Sequence, residues 1–259
     1  MKVRRFNRRR FLIGGVLISP MLALADAGFV EPQWVRVRTL NLTKAKPTHR
    51  LVQISDIHHK GNRVYFENIV KTVNSLSPDV VCFTGDLIEE SQFLSEALQI
   101  LEGVKSPVYG VPGNHDYWSE VSFEPIAKSL EKTGGGWLLD QQIVTEDGKL
   151  CITGATCLSK KAPVLLPKPG LRNVFLMHYP LWIEQLVSTH FDLILAGHSH
   201  GGQVRIPFIG PVQVPFGVGK YDLGKFQTAA GILYVNPGIG WFPVPIRFNC
   251  RPEITVFEL

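Results

Sequence analysis

The chain has 259 residues, 45% of them hydrophobic and 19% charged, which suits one large domain with a substantial core and excludes two full-sized ones. Its formal charge of +5 resides at the N-terminus, where Lys2, Arg4, Arg5, Arg8, Arg9 and Arg10 stand without an acidic residue among residues 1–25; setting those six cations aside leaves −1. With no stripe of Lys and Arg interleaved with aromatics in the remainder, the composition argues against a specific nucleic-acid partner.

Residues 11–25 form an apolar run behind the basic cluster, short for a hydrocarbon core of ~30 Å and weakened as a helix by Gly14, Gly15 and Pro20. A signal peptide fits better than a membrane span, with small residues at Ala23-Leu24-Ala25 and Ala25-Asp26-Ala27 as cleavage points. Asn7-Arg8-Arg9-Arg10-Phe11-Leu12 resembles a twin-arginine export signal, although Asn7 stands where Ser or Thr is usual. Residues 1–27 are therefore expected to be a twin-arginine-type signal peptide or an uncleaved N-terminal anchor, and residues 28–259 the folded domain. Basic residues ahead of the apolar run place that domain outside the cytoplasm, in the periplasm or on the outer face of the cytoplasmic membrane, with the twin-arginine export machinery as a partner.

In chain order, residues 34–40 alternate as an edge strand, and Arg50 to Ser55 form a strand that delivers Asp56 and His58. Phe66, Ile69, Val70, Val73 and Leu76 recur at helical spacing, with Asn62 as cap and Pro78 as stop. A second unit follows, with a strand at 79–84 ending in Gly85-Asp86 and a helix marked by Phe93, Ala97, Leu98 and Leu101. The strand at 107–111 ends in a loop carrying Gly113-Asn114-His115-Asp116, and a third helix spans about 122–132. Strands at 142–145 and 150–153 flank Asp147-Gly148, a hairpin signal. Beyond a Lys- and Pro-rich loop at 159–170, a strand at 174–177 delivers His178, a short helix spans 180–187, and a strand at 191–196 delivers Gly197-His198-Ser199-His200. Short strands at 203–206, 232–235 and 254–257 complete an α/β pattern. The expected architecture is two packed β-sheets flanked by helices, with the site on loops at the strand ends. Among the cysteines, Cys82 reads as a buried thiol, whereas Cys151 and Cys157 fit either a disulfide or two free thiols.

The five polar clusters at strand ends read as a two-metal hydrolytic site. Two divalent ions can activate a bridging water and clamp a phosphate, provided one carboxylate spans them, and Asp86 is the best candidate. Asp56 and His58, at i and i+2 in an extended segment, present both side chains to one ion, and His198 and His200 repeat that spacing. Two ions, two carboxylates and one hydroxide leave about one positive charge when His and the Asn114 amide are neutral, a balance suited to an anionic phosphodiester. Mixed N/O ligation without thiolate favours Mn, Fe, Zn or Co over Ca.

Asp56-x-His58, Gly85-Asp86, Gly113-Asn114-His115-Asp116, His178 and Gly197-His198-x-His200, in this order, resemble the five blocks of the calcineurin-like metallophosphoesterase superfamily. The resemblance implies a four-layer αββα sandwich with one metal on Asp56, His58, Asp86 and His200, and the other on Asp86, Asn114, His178 and His198. It further implies a metal-bridging hydroxide as nucleophile and His115 as general acid, oriented by Asp116 or Glu89. The leader, Gly197 to Gln203 and Asn249-Cys250-Arg251-Pro252-Glu253 are similar to the exported YaeI-type phosphodiesterase branch.

These residues point to a two-metal phosphodiesterase acting on a phosphodiester or phospholipid-like substrate. The alternatives are a UDP-2,3-diacylglucosamine pyrophosphohydrolase of lipid A biosynthesis and a binding protein on an inactive scaffold. Phe208 to Pro211 and Gly240 to Pro245, both apolar, fit either loop packing or a rim for lipid-like substrate and membrane-surface contact. Arg205 and Lys220 fit either phosphate contact or solvated surface charge, and His49, His59 and His190 fall outside the pattern.

Overall fold

The computed structural model describes residues 20–157, 165–186 and 189–259. The leader up to residue 19, the middle of the Lys- and Pro-rich loop and Val187 lie outside them. The first strand, β1 (Arg36–Asn41), is followed by β2 (Arg50–Ile54), α1 (Arg63–Ser75), β3 (Val80–Phe83), α2 (Leu94–Leu101) and β4 (Val108–Gly110). Then come α3 (Asn114–Trp118), α4 (Glu124–Lys132), β5 (Gly136–Trp137), β6 (Gln141–Val144), β7 (Leu150–Gly154), β8 (Arg172–Leu176) and β9 (Phe191–Ala196). The C-terminal part adds β10 (Arg205–Ile206), β11 (Gly210–Pro211), β12 (Gly224–Thr228), β13 (Gly231–Val235) and β14 (Glu253–Glu258).

The strands build two six-stranded sheets, ordered β1-β14-β2-β3-β4-β5 and β12-β13-β9-β8-β7-β6, while β10 and β11 pair only with each other. In the first sheet β2, β3, β4 and β5 run parallel, and β14 enters antiparallel to β2 and parallel to β1. Period-2 alternation explains how one strand serves two cores. Val81 and Phe83 of β3 face the helices with Ile69, Val73 and Leu101, whereas Val80 and Cys82 face the second sheet with Ile152, Val174 and Leu195. The outer face of the second sheet, with Phe175, Ile194 and Leu233, is covered by Trp182 and Ile183 of a 3₁₀ turn at Pro180–Gln185. The expected two sheets flanked by helices are thus present.

Several local expectations are corrected. Asn114 opens a short helix where a loop was expected, because Gly113 N and Asp116 Oδ2 close a tight turn at 2.8 Å. Strands β5 and β12 were too short or too polar to stand out. Asn62 does cap α1, accepting from Tyr65 N, and the Asp147-Gly148 hairpin pairs β6 with β7 antiparallel. All four cysteines are free thiols, so Cys151 and Cys157 form no bridge.

Parallel strands β2, β3 and β4, together with β8 and β9 of the second sheet, end on the same side. The loops that leave those ends carry all five polar clusters.

Candidate metal centre

The loops after β2 and β3 continue to zip together past the strands: Asp56 N donates to Gly85 O (2.9 Å) and His58 N to Asp86 O (3.0 Å). This pairing overturns the expected extended geometry. Asp56, His58, Asp86, His198 and His200 all have φ between 43° and 66°, left-handed values that Asp and His tolerate at a cost of ~1 kcal/mol or more each. Glycine permits the close approach of the neighbouring loops. A Cβ on Gly113 would stand 2.1 Å from Asp86 Oδ1, and one on Gly197 would stand 2.0 Å from Ser55 Oγ and 2.4 Å from Asp56 Oδ2.

The seven ligand candidates converge as two groups. Donor atoms of Asp56, His58 and His200 lie within 4.8 Å of one another, as do those of Asp86, His178 and His198. Asn114 Oδ1 joins the second group at 3.1 Å from His178 Nε2. Asp86 Oδ2 lies 3.5 Å from His58 Nε2 and 3.2 Å from His178 Nε2, so one carboxylate oxygen reaches both groups.

The hydrogen bonds on the far side of each ring set the tautomers. His58 Nδ1 is bonded to Glu89, His178 Nδ1 to the Thr84 carbonyl at 2.7 Å and His198 Nε2 to the Phe216 carbonyl at 2.7 Å. In a neutral ring, an N–H used there leaves the other ring nitrogen as the one available to a metal. His58 Nε2 then faces His200 Nε2 at 3.0 Å, while His200 Nδ1 is buried without a partner. Ring nitrogens crowded this closely beside carboxylates that are at most 1% exposed, with one of them left without a partner, are a donor set that fits divalent metal ions.

The ionisation pattern follows from the crowding. Burial raises the Asp56 carboxyl, and Asp86 adds to it. Burial works against Asp86 as well, but His178 and His58 outweigh it and hold Asp86 well below the carboxylate range. Against burial, Asp86 and Asp56 push His178 up to about 9. Burial and then His178 lower His198 to about 3, and burial and then His58 push His200 well below the usual imidazole range.

Of the two carboxylates offered for His115, Glu89 reaches its ring, at 3.0 Å from Nδ1. Asp116 instead uses both oxygens on backbone N–H groups, of Asp86 (2.9 Å), Leu87 (2.8 Å) and Gly113 (2.8 Å), and so holds the β3 and β4 loops together. Burial pushes Glu89 upward, but hydrogen bonds from His115 and His58 prevail and bring it to about 2. His115 is lowered by burial and raised more by Glu89 and Asp86, so its net shift is upward. Its ring packs 4.4 Å from that of Phe242 and 4.7 Å from that of Trp118.

Sequence reasoning missed Arg247, which is fully buried. Its guanidinium donates to the carbonyls of Pro237 (2.8 Å), Gly240 (2.5 Å) and Cys250 (3.0 Å), fixing the loop whose Gly240 N donates to Asp56 O. No charge partner or spacing marks such a residue in a sequence. Arg205 is tied to Asp222 and Gly201 O, both at 2.7 Å, and the outlying His49 and His59 pair with Asp147 and Glu96.

Such a set of loops defines a metallophosphoesterase centre, and the chain belongs to the calcineurin-like phosphoesterase family, whose profile matches residues 49–202. It is accordingly a metal-dependent phosphoric ester hydrolase. Among individual proteins, it is 26% identical to Phosphodiesterase YaeI of Escherichia coli strain K12, over 98% of this chain and 99% of the relative. It is 27% identical to UDP-2,3-diacylglucosamine pyrophosphatase LpxG of Chlamydia trachomatis serovar D, over 94% of each. The fold matches the crystal structure of TT1561 of Thermus thermophilus, with a TM-score of 0.50, 12% identity and coverage of 74% of this chain and 90% of that one.

Proposed function

We propose that this chain is a two-metal phosphodiesterase, with Asp56, His58, Asp86 and His200 holding one ion and Asp86, Asn114, His178 and His198 the other. The single observation that carries this reading is the position of Asp86 Oδ2, within 3.5 Å of a ligand nitrogen from each group. When bound, two divalent ions supply a nucleophilic water at neutral pH and neutralise the phosphate oxygens. The chain's own residues do the rest. Glu89 holds the His115 ring through Nδ1, which directs Nε2 as the acid that hands a proton to the leaving oxygen. Asp116 holds the Asp86 turn, and Phe242 and Trp118 exclude water from one side of His115.

The name of YaeI favours a phosphodiester substrate, and that of LpxG favours a second reading, cleavage of a nucleoside diphosphate joined to an acylated sugar. Residues 1–27 act in this account as a twin-arginine-type signal peptide or anchor, and residues 28–259 work outside the cytoplasm. The test is hydrolysis of bis-p-nitrophenyl phosphate by chelated protein after separate return of Mn, Zn, Fe or Mg, with Asp86→Asn and His115→Ala alongside. Activity should return with metal, vanish in Asp86→Asn and fall on the order of 10²-fold or more in His115→Ala. Inactivity with every metal, in a folded protein with two ions bound, would reject the phosphodiester reading. Turnover of UDP-2,3-diacylglucosamine alone would establish the second.

A further inference from the structure

Three segments expose large apolar side chains and are joined to one another at the site. The first is the β10-β11 hairpin, which begins three residues after Gly202 and carries at its tip Phe208, fully exposed, and Ile209, 78% exposed. Its return strand leads to Phe216, whose side chain is 94% exposed while its carbonyl accepts from the ligand His198. The second is the 241–246 loop. Phe242 N donates to Gln203 Oε1 at 2.7 Å, Phe248 N donates to Gln203 O at 2.8 Å and Arg205 N donates to Phe248 O at 2.9 Å, so this loop is stitched to the foot of the hairpin. Phe242 and Ile246 are about two-fifths exposed, and the Phe242 ring lies 6.0 Å from that of His58.

The third segment is N-terminal. Arg247 N donates to Ala27 O at 2.9 Å and Asn249 N to Glu31 Oε2 at 2.8 Å, which fixes residues 26–31 beside the 246–250 backbone. Phe29 there is 81% exposed, and Leu24 just upstream is 74% exposed. Upstream of them run the apolar residues from Phe11 and the six basic residues before it.

Packing explains part of Phe242 but not the hairpin tip, since side chains as exposed as Phe208 and Ile209 contribute little to a core. Nor is any helix among the described residues long and apolar enough to cross a membrane. We infer that the three segments form a bilayer-docking rim around the metal centre, which seats the site mouth against the membrane surface so that it takes phosphodiester headgroups from the lipid layer. The choice of a bilayer rests on where the chain leads: the exposed Leu24 and Phe29 follow directly on the basic-then-apolar run, and that run, retained as the N-terminal anchor, holds the stitched rim against the same surface. The inference deepens the phosphodiesterase reading and rests on it for what happens to a docked headgroup.

The test uses the full chain and vesicles of mixed phosphatidylglycerol and phosphatidylethanolamine. An environment-sensitive nitrobenzoxadiazole label goes on Phe208→Cys, or on Lys149→Cys at the exposed β6-β7 turn away from the site, with the identically treated parent as background. Vesicles should brighten and blue-shift the label at position 208 and leave that at 149 unmoved. Equal responses at both positions, or no response at 208 in protein that sediments with vesicles, would overturn the inference. A shift at 208 on raising protein concentration without lipid would do so too, because a second copy of the chain would then cover the rim. In parallel, the double variant Phe208→Asp, Ile209→Asp should lower the rate on vesicle-held phosphatidyl-p-nitrophenol relative to soluble bis-p-nitrophenyl phosphate by about tenfold or more, the scale of losing a buried large apolar side chain. An unchanged ratio would count against docking. If the parent hydrolyses neither diester in the presence of metal, the phosphodiesterase reading fails, and the label alone decides the rim.

Discussion

Replacing Gly113 by Ala isolates the steric demand of the centre from backbone conformation, because Gly113 has φ −97° and ψ −179°, values open to any residue. The added Cβ would lie 2.1 Å from Asp86 Oδ1, and ordinary contact begins at 3.4 Å, so about 1.3 Å of movement is required. Asp86 has little freedom to provide it: its N–H is held by Asp116 (2.9 Å), its Oδ1 accepts from His115 N (2.8 Å) and its Oδ2 is 3.2 Å from His178. Overpacking of this kind costs ~1–3 kcal/mol, and a displacement of ~1 Å in a catalytic constellation costs on the order of 10²-fold in rate. The variant should therefore lose a few degrees in Tm but about two orders of magnitude in kcat/KM on bis-p-nitrophenyl phosphate, together with metal affinity. Gly148→Ala is the control, with φ 70° and nothing within 4 Å of the new Cβ. It should cost ~1–2 kcal/mol in stability through backbone strain alone and leave the rate unaltered. If Gly113→Ala keeps the parent's rate and metal affinity, the reasoning that Asp86 is sterically locked is wrong.

Three further outcomes are expected. Glu89→Gln, which removes the charge shared by His58 and His115, should lower kcat about 10- to 100-fold, more for an alkyl leaving group than for p-nitrophenolate, while Glu96→Gln beside His59 should not; equal losses on both leaving groups would count against His115 as acid. Arg247→Met leaves several buried carbonyls without a donor and should cost ~3 kcal/mol or more, a fall of roughly 6–12 °C in Tm by thermal melt. His178 has its pKa raised to about 9, so it carries a proton at pH 7–8, and ligation requires its free nitrogen. Metal binding should thus release a proton, and affinity should rise toward pH 9 at up to about tenfold per unit. Calorimetry in buffers of different ionisation heat reads this directly, and zero proton release would refute it.

Much of the fold was legible because β3 and β4 are continuous apolar runs bounded by Gly, Pro or Asp, β9 is apolar from Leu193 to Ala196 ahead of Gly197, and α1 shows a clean helical period with its Asn62 cap. The convergence of the polar clusters was legible because each ends such a run. What stayed hidden depends on contacts between distant loops. The left-handed backbone at Asp56 and His58 accompanies pairing with the β3 loop, and that at His198 and His200 accompanies the tight turns of 197–203, whereas a strand-like i, i+2 spacing reads as extended. The choice of Glu89 over Asp116 as partner of His115 needed the three backbone donors that occupy Asp116. Arg247 lies outside every motif, and β5 and β12 are recognisable only through their neighbours.

The most direct test of the account is a manganese titration of chelated full-length chain, with bound ions and hydrolysis of bis-p-nitrophenyl phosphate followed in the same samples. The chain should saturate at two ions, activity should appear as the pair fills, and Asp86→Asn should lose both pair formation and activity. Saturation below two ions, or full activity in the chelated protein, would contradict the two-metal reading.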